Sequence, residues 1–261
     1  MQIPLYQIDA FAGRPFTGNP AAVCPLTEWL HDSVLQAIAA ENNLSETAFF
    51  VRHGAERELR WFTPTTEVKL CGHATLAAGF LVLDVLREEN ERVTFSTLSG
   101  QLCVSRAQHG YALDLPALPP KECEPPQALV DGLDREPVEI LAATNYLCIF
   151  DHEEDVRDLT PDFARLAHCD PFGVIITAPG KKVDFVSRYF APSKGVNEDP
   201  VTGSAHCTLT PYWAQRLGKT RLRARQLSKR GGDLTCEPKG DRVVLEGGCA
   251  LVIDGTLHVP D

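Results

Sequence analysis

The sequence predicts an α+β fold of two similar halves, each a set of short antiparallel strands around one buried helix. Three observations carry this prediction. Blocks of the first half return in the same order in the second, prolines crowd the stretch between them, and one helix is apolar on every side. Arg60-Trp61-Phe62-Thr63-Pro64 returns as Arg188-Tyr189-Phe190-Ala191-Pro192. Gly72-His73-Ala74-Thr75-Leu76 is echoed by the run from Gly203 through Ser204, Ala205 and His206 to Leu209. Ser99-Gly100-Gln101-Leu102 answers Gly231-Gly232-Asp233-Leu234, and the run from Gly110 to Asp114 answers that from Gly240 to Leu245. Each block is displaced by about 130 residues, the mark of a duplicated half.

Taken along the chain, the first amphipathic helix is expected over 27–43, with Thr27 as N-cap and Leu30, Val34 and Ile38 on one stripe. It leads into a strand at Ser45–Phe50. The apolar helix runs from Thr75 to Leu83 and is hydrophobic all round, so strands should enclose it. Pro116, Pro119, Pro120, Pro125 and Pro126 favour an extended connection. The halves are therefore placed at 1–118 and 119–261, with the C-terminal strand able to return to the first. In the second half a helical pattern from Thr160 to Cys169 precedes a strand at Gly173–Thr177. The helix that starts near Gly203 carries Pro211 about two turns in, where a kink or a short first segment is expected.

Composition excludes several classes. A chain of 261 residues with formal net charge −10 is a poor general binder of nucleic acid or anionic membranes, whose phosphates need a positive field. The nine cysteines are odd in number, widely spaced and contain no C-x-x-C, which argues for reduced thiols and against a disulfide framework or zinc ribbon. The first residues lack the basic and apolar regions of a secretory signal, so a cytoplasmic location is expected. Seven basic residues and no acid lie between Arg216 and Arg230. Arg221, Arg223 and Arg225 share one strand face, either an anion-binding surface or a solvated one.

The chemistry-bearing residues cluster at the repeated blocks. Gly72 and Gly203 each open a helix, whose first turn has unspent N–H groups and partial positive charge suited to a carboxylate or an enolate oxygen. The alternative is that both glycines only permit tight turns. Glu46 alternates with Ala48 and Phe50 on an apolar strand face, where burial would raise its pKa into the range of a general acid/base. A solvated edge position is the competing reading. His73, Asp199 and Ser204 stand beside the two helix starts, as proton-handling groups or as ordinary N-caps. Cys71 raises the prospect of a two-thiol racemase, but no thiol stands at the mirrored place, where Asp199-Pro200-Val201-Thr202 lies instead. A metal site from His73, His206 and Cys207 is discounted because adjacent helix residues point apart.

These residues also carry a family likeness. Leu44-Ser45-Glu46-Thr47-Ala48-Phe49, Leu70-Cys71-Gly72-His73-Ala74-Thr75 and the run from Gly195 through Glu198-Asp199-Pro200-Val201-Thr202-Gly203-Ser204 to His206 resemble the phenazine biosynthesis PhzF-like family. Asp9-Ala10-Phe11 and Gly18-Asn19-Pro20-Ala21-Ala22-Val23 fit as well, so the likeness spans nearly the whole chain. The resemblance implies a diaminopimelate epimerase-like fold with the active site in the cleft between two barrels. It implies cofactor-free isomerisation, which in this family acts on trans-2,3-dihydro-3-hydroxyanthranilate through a glutamate that moves a proton between carbons. Carried over, Glu46 would be the shuttle, assisted by His73, Asp199 and Ser204, with Asn19, Gly72, Thr202 and Gly203 binding substrate. The expectation is an isomerase of a small carboxylate-bearing metabolite, without cofactor or metal ligands, working apart from nucleic acid and membrane and assembling by default as a homodimer. The alternatives are a Cys71 racemase and a non-catalytic binding protein on the same fold.

Overall fold

In the computed structural model, which describes residues 1–54, 56–169 and 173–259, strand-forming runs bounded by glycine and proline build two units. The first comprises Met1–Asp114 with Glu246–Asp261, and the second Leu115–Leu245.

The first unit begins with β1 (Gln2–Ala10) and β2 (Asn19–Leu26), paired antiparallel up to Ala10 opposite Asn19. Helix α1 (Asp32–Asn42) returns the chain to the same end, so β3 (Glu46–His53) lies parallel to β2. β4 (Glu56–Phe62) folds back on β3, and the short β5 (Glu67–Val68) pairs with its end. Helix α2 (Gly72–Phe80) then carries the chain to β6 (Arg92–Thr97), parallel to β4, followed by the antiparallel β7 (Gly100–Ala107) and β8 (Gly110–Pro116).

The second unit holds β9 (Lys121–Glu122), α3 (Gln127–Gly132), β10 (Glu139–Ala142), β11 (Tyr146–Ile149), α4 (Glu153–Asp158), α5 (Phe163–Leu166), β12 (Val174–Pro179) and β13 (Phe185–Phe190). Helix α6 (Gly203–Leu217), β14 (Leu222–Gln226), β15 (Gly232–Lys239) and β16 (Arg242–Gly247) complete it. Strand β17 (Cys249–His258) belongs to the first unit, where it pairs with β1 from Gln2 opposite His258 to Ala10 opposite Cys249.

The duplication is visible in the ladders. Parallel, antiparallel, parallel, antiparallel is the order of pairing along β2, β3, β4, β6 and β7, and again along β11, β12, β13, β14 and β15. The expected antiparallel strands thus include two parallel steps per unit, each where a helical crossover brings the chain back to the same end. It reaches side chains as well. Arg60 grips Glu67 with two hydrogen bonds of 2.7 and 2.8 Å and lies 5.1 Å over the Phe62 ring. Arg188 grips Glu198 at 2.7 and 3.1 Å and lies 4.9 Å over the Phe190 ring.

Helix α2 is buried from Gly72 through Gly79 and packs against β1, β2, β3, β7 and β17, as an all-round apolar segment must. Its close fit explains Gly79, where an added Cβ would lie 2.4 Å from Cγ1 of Val104. Beyond Phe80 the helix widens into a π turn at Leu81–Val85, which the sequence pattern does not reveal.

Three expectations change. Helix α1 starts at Asp32 and not after Thr27, because His31 caps it by accepting from the Ser33 N–H at 3.3 Å. Its buried positions are Leu35, Ile38 and Ala39, while Leu30 and Val34 only flank the same cluster. The helical pattern before the second-half strand shrinks to the four residues of α5, capped by Asp162. Helix α6 runs from Gly203 to Leu217 through Pro211 without a short first segment. Proline removes the N–H that would bond the Cys207 carbonyl, and the Leu118 N–H takes that oxygen instead at 3.0 Å.

The basic stretch is largely neutralised locally. Arg225 pairs with Asp233 at 2.6 and 3.0 Å, Lys219 with Asp184 at 2.5 Å, and Arg221 with Glu237 across the β14–β15 ladder. The arginine face of β14 is therefore a solvated, ion-paired surface. Among the described residues no helix is long and apolar enough to cross a membrane.

Candidate active site

The residues singled out by sequence fall into two groups, one in each unit. In the first, β2 supplies Asn19 at its first residue, β3 supplies Glu46 at its first residue, and the start of α2 supplies Cys71, Gly72 and His73. Each sits where a strand or helix begins, so rigid elements hold the side chains.

The His73 imidazole is the hub. Its Nε2 lies 3.4 Å from Oε2 of Glu46, and its Nδ1 lies 3.2 Å from the Asn19 amide nitrogen and 3.5 Å from the Cys71 sulfur. Asn19 Nδ2 carries hydrogens only, so it donates and Nδ1 accepts, which places the ring proton on Nε2 toward the carboxylate. Burial pushes the His73 pKa down from 6.5 to about 3, and the ring is neutral at physiological pH. Glu46 is neither sealed in an apolar interior nor on an open edge. Its side chain is 19% exposed, against 5% for His73, while the Oε2 that faces the imidazole is itself buried.

Cys71 is the N-cap of α2, with extended backbone and no side-chain cap bond, and its sulfur lies against the imidazole. Sequence reasoning, which weighs Cys71 for a racemase, misses this contact. The i, i+2 spacing to His73 across a helix start is the signal for it, because the chain direction changes between the two. Glu46, Cys71 and His73 each offer a donor atom within 4.8 Å of the other two, a spacing that could hold a metal ion.

The second group surrounds the start of α6. The Asp199 carboxylate accepts a 2.5 Å hydrogen bond from the Thr202 hydroxyl, and both residues are buried. Gln226 braces them from β14. Its side-chain oxygen accepts from the Thr202 N–H at 2.9 Å, and its amide nitrogen donates to the Asp199 carbonyl at 2.8 Å. Sequence reasoning passes over Gln226, although the alternation along β14 already turns it to the arginine-free face. Gly203 is buried and Ser204 half-buried in the first turn of the helix.

The repeat shows how the two groups have diverged. Phe62 pairs with Thr47 and Phe190 with Val174, which makes Gly173 the counterpart of Glu46. Thr202 stands as N-cap where the first unit has Cys71, and Ser204 stands where it has His73. Cys207 lies a turn inside α6, fully buried, with its sulfur 3.5 Å from the Gly203 carbonyl. Neither the carboxylate nor the thiol is therefore duplicated.

Comparison with known proteins places the chain among named relatives. The family model described as "Phenazine biosynthesis-like protein", PhzC-PhzF, matches residues 8–255. An uncharacterized isomerase of Pseudomonas aeruginosa is 52% identical over 99% of this chain and 100% of its own. The human phenazine biosynthesis-like domain-containing protein is 40% identical over 98% of this chain and 99% of its own. The crystal structure of a PhzF family phenazine biosynthesis protein from Enterococcus faecalis superposes with TM-score 0.95 at 45% identity, covering 99% of this chain and 100% of that one. A hydroxyproline epimerase from Agrobacterium vitis, 9% identical, shares the fold at TM-score 0.62, with 100% of this chain and 93% of that one covered.

Proposed function

The chain belongs to the PhzC-PhzF family of phenazine biosynthesis-like proteins, and on that premise we propose that it is an isomerase that moves a proton between carbons of a small carboxylate-bearing metabolite, with Glu46 as the shuttle. The observation that carries this reading is the carboxylate of the partly exposed Glu46 side chain, set 3.4 Å from the buried neutral imidazole of His73.

The division of labour follows from the contacts. Glu46 takes a proton from one carbon of the substrate and returns it to another, so no net proton is gained or lost. His73 presents its Nε2–H beside the carboxylate and stays neutral, which lets it donate a hydrogen bond to a developing negative oxygen without competing for the migrating proton. Asn19 acts on the substrate through His73, by holding the tautomer that keeps the proton on Nε2. The first-turn N–H groups at Gly72 in one unit and at Gly203 in the other are suited to substrate carboxylate or enolate oxygens. Asp199, with Thr202 at its side and Ser204 in the first turn of α6, forms the polar group of the second unit. A two-thiol racemisation gains no support from these contacts, since Thr202 and not a cysteine mirrors Cys71.

The test is incubation of the protein with a metabolite extract in D₂O. A protein-dependent uptake of deuterium at a carbon position is expected. Glu46→Gln is expected to lower the rate by about 10²–10⁴-fold, the usual worth of a positioned acid/base group. Uptake that survives both Glu46→Gln and Asp199→Asn unchanged would falsify the reading.

A further inference from the structure

We propose that Cys71, His73 and Glu46 form a binding site for a thiophilic divalent cation of the zinc class. The three offer a sulfur, a nitrogen and an oxygen within 4.8 Å of one another, and among the described residues they are the group of His, Cys, Asp and Glu side chains that meets this spacing. Their chemistry selects the ion. Thiolate and imidazole favour zinc and its neighbours, whereas magnesium and calcium need oxygen ligands throughout.

The distances fit as well. A tetrahedral zinc with bonds of about 2.3 Å to sulfur and 2.0–2.1 Å to nitrogen holds those two atoms about 3.5 Å apart. The Cys71 sulfur lies 3.5 Å from Nδ1 of His73. The Glu46 carboxylate, 3.4 Å from Nε2, must turn about its own side-chain bonds to reach an ion on that edge and supply the third ligand. The Asn19 amide now hydrogen-bonds Nδ1 and must turn aside, giving up one neutral hydrogen bond for a metal–nitrogen bond. Cys71 and His73 are buried on the start of α2, and Glu46 is the more exposed member of the three. The balance is simple. The thiol gives its proton to solvent as the sulfur–metal bond forms, and no redox partner is needed.

Occupancy would hold the carboxylate and the imidazole on which the isomerase reading relies, so the cation would act as a reversible inhibitor. That consequence rests on the isomerase reading, while the site itself does not.

Reduced, metal-free protein titrated with Co²⁺ in the absence of substrate is expected to develop a thiolate-to-cobalt charge-transfer band and tetrahedral visible bands that saturate at one equivalent, and Zn²⁺ should discharge them. Cys71→Ser should abolish the charge-transfer band. Glu46→Gln should keep it while raising the cobalt dissociation constant at least tenfold. X-ray absorption of the zinc-loaded wild-type protein, which needs no variant to fold, should show one sulfur among nitrogen or oxygen ligands. A zinc shell without sulfur, no saturable band, or an equal band in Cys71→Ser would overturn the site. A wild-type protein that binds cobalt in this way yet moves no deuterium would uphold the site and count against the isomerase reading.

Discussion

His206 is fully buried on α6 with its Nδ1 2.8 Å from the Thr202 carbonyl oxygen, which fixes the ring proton on that nitrogen. Its Nε2 has no hydrogen-bond partner, and the ring lies 6.0 Å from that of Phe185. Protonation would put an uncompensated cation there, and burial accordingly lowers the pKa from 6.5 to about 4. Below pH 6.5 the unfolded chain binds a proton that the folded one refuses. The stability contribution is thus complete above pH 6.5 and is lost as pH falls toward 4. Between about pH 7 and pH 4.5 this amounts to about 2 kcal/mol for one group. Urea unfolding of His206→Leu should therefore show an acid loss smaller than that of the wild type by about that amount. Equal losses in the two proteins would assign acid sensitivity to other groups. His73 carries the same dependence with a wider window, since its pKa falls to about 3.

At the scale of the element, α2 is governed by how closely strands approach it. Gly79→Ala gains about 1 kcal/mol of helix propensity, yet its new methyl would lie 2.4–2.7 Å from three atoms of the buried Val104 side chain. Overpacking of this kind costs about 1–3 kcal/mol, so a net loss of stability is expected, and Val104→Ala in the same chain should recover only part of it, because the Val104 Cβ that alanine keeps lies 2.5 Å from the new methyl. A thermal melt of the single and double variants decides the matter, and a Gly79→Ala protein more stable than wild type would refute the packing argument. How far such elements can be read from sequence depends on which force sets them. The burial of α2 follows from its unbroken apolar run, and Gly72 and Gly203 mark helix starts because the repeated blocks align them. The start of α1 does not, because a histidine side chain caps it and histidine is not a usual N-cap. Pro211 looks disruptive until the Leu118 N–H is seen to bond the carbonyl it orphans, a contact between residues far apart in sequence. The grouping of Asn19, Glu46, Cys71 and His73 follows the same rule. Their types mark them as reactive, but only the β2–β3 register and the helix start bring the imidazole between sulfur and carboxylate.

At the scale of the whole molecule, charge opposes the proposed substrate. The chain carries a formal net charge of −10, and the Arg216–Arg230 stretch, largely committed to local ion pairs, offers little compensating field. A small carboxylate must then be drawn in by short-range contacts at helix starts against a repulsive surround. Screening weakens that repulsion more than it weakens buried hydrogen bonds. Raising ionic strength from about 0.01 to 0.15 M should therefore increase kcat/KM for an anionic substrate a few-fold, mainly through KM. Steady-state rates across a salt series test this, and a steep fall with salt would point to a basic capture surface.

The pairing of β1 with β17 also governs the timetable of folding. Residues 2–10 are made well before their partners at 249–258, so this ladder closes a loop of more than two hundred residues. The unit spanning Leu115–Leu245 is continuous and has all its strands in hand before β17 is made. During synthesis the first unit must wait with β1 held on one side by β2 alone, while the second can already pack. The duplicated halves, alike in pattern, are therefore unlike in birth order: the second-made unit is the first that can be finished.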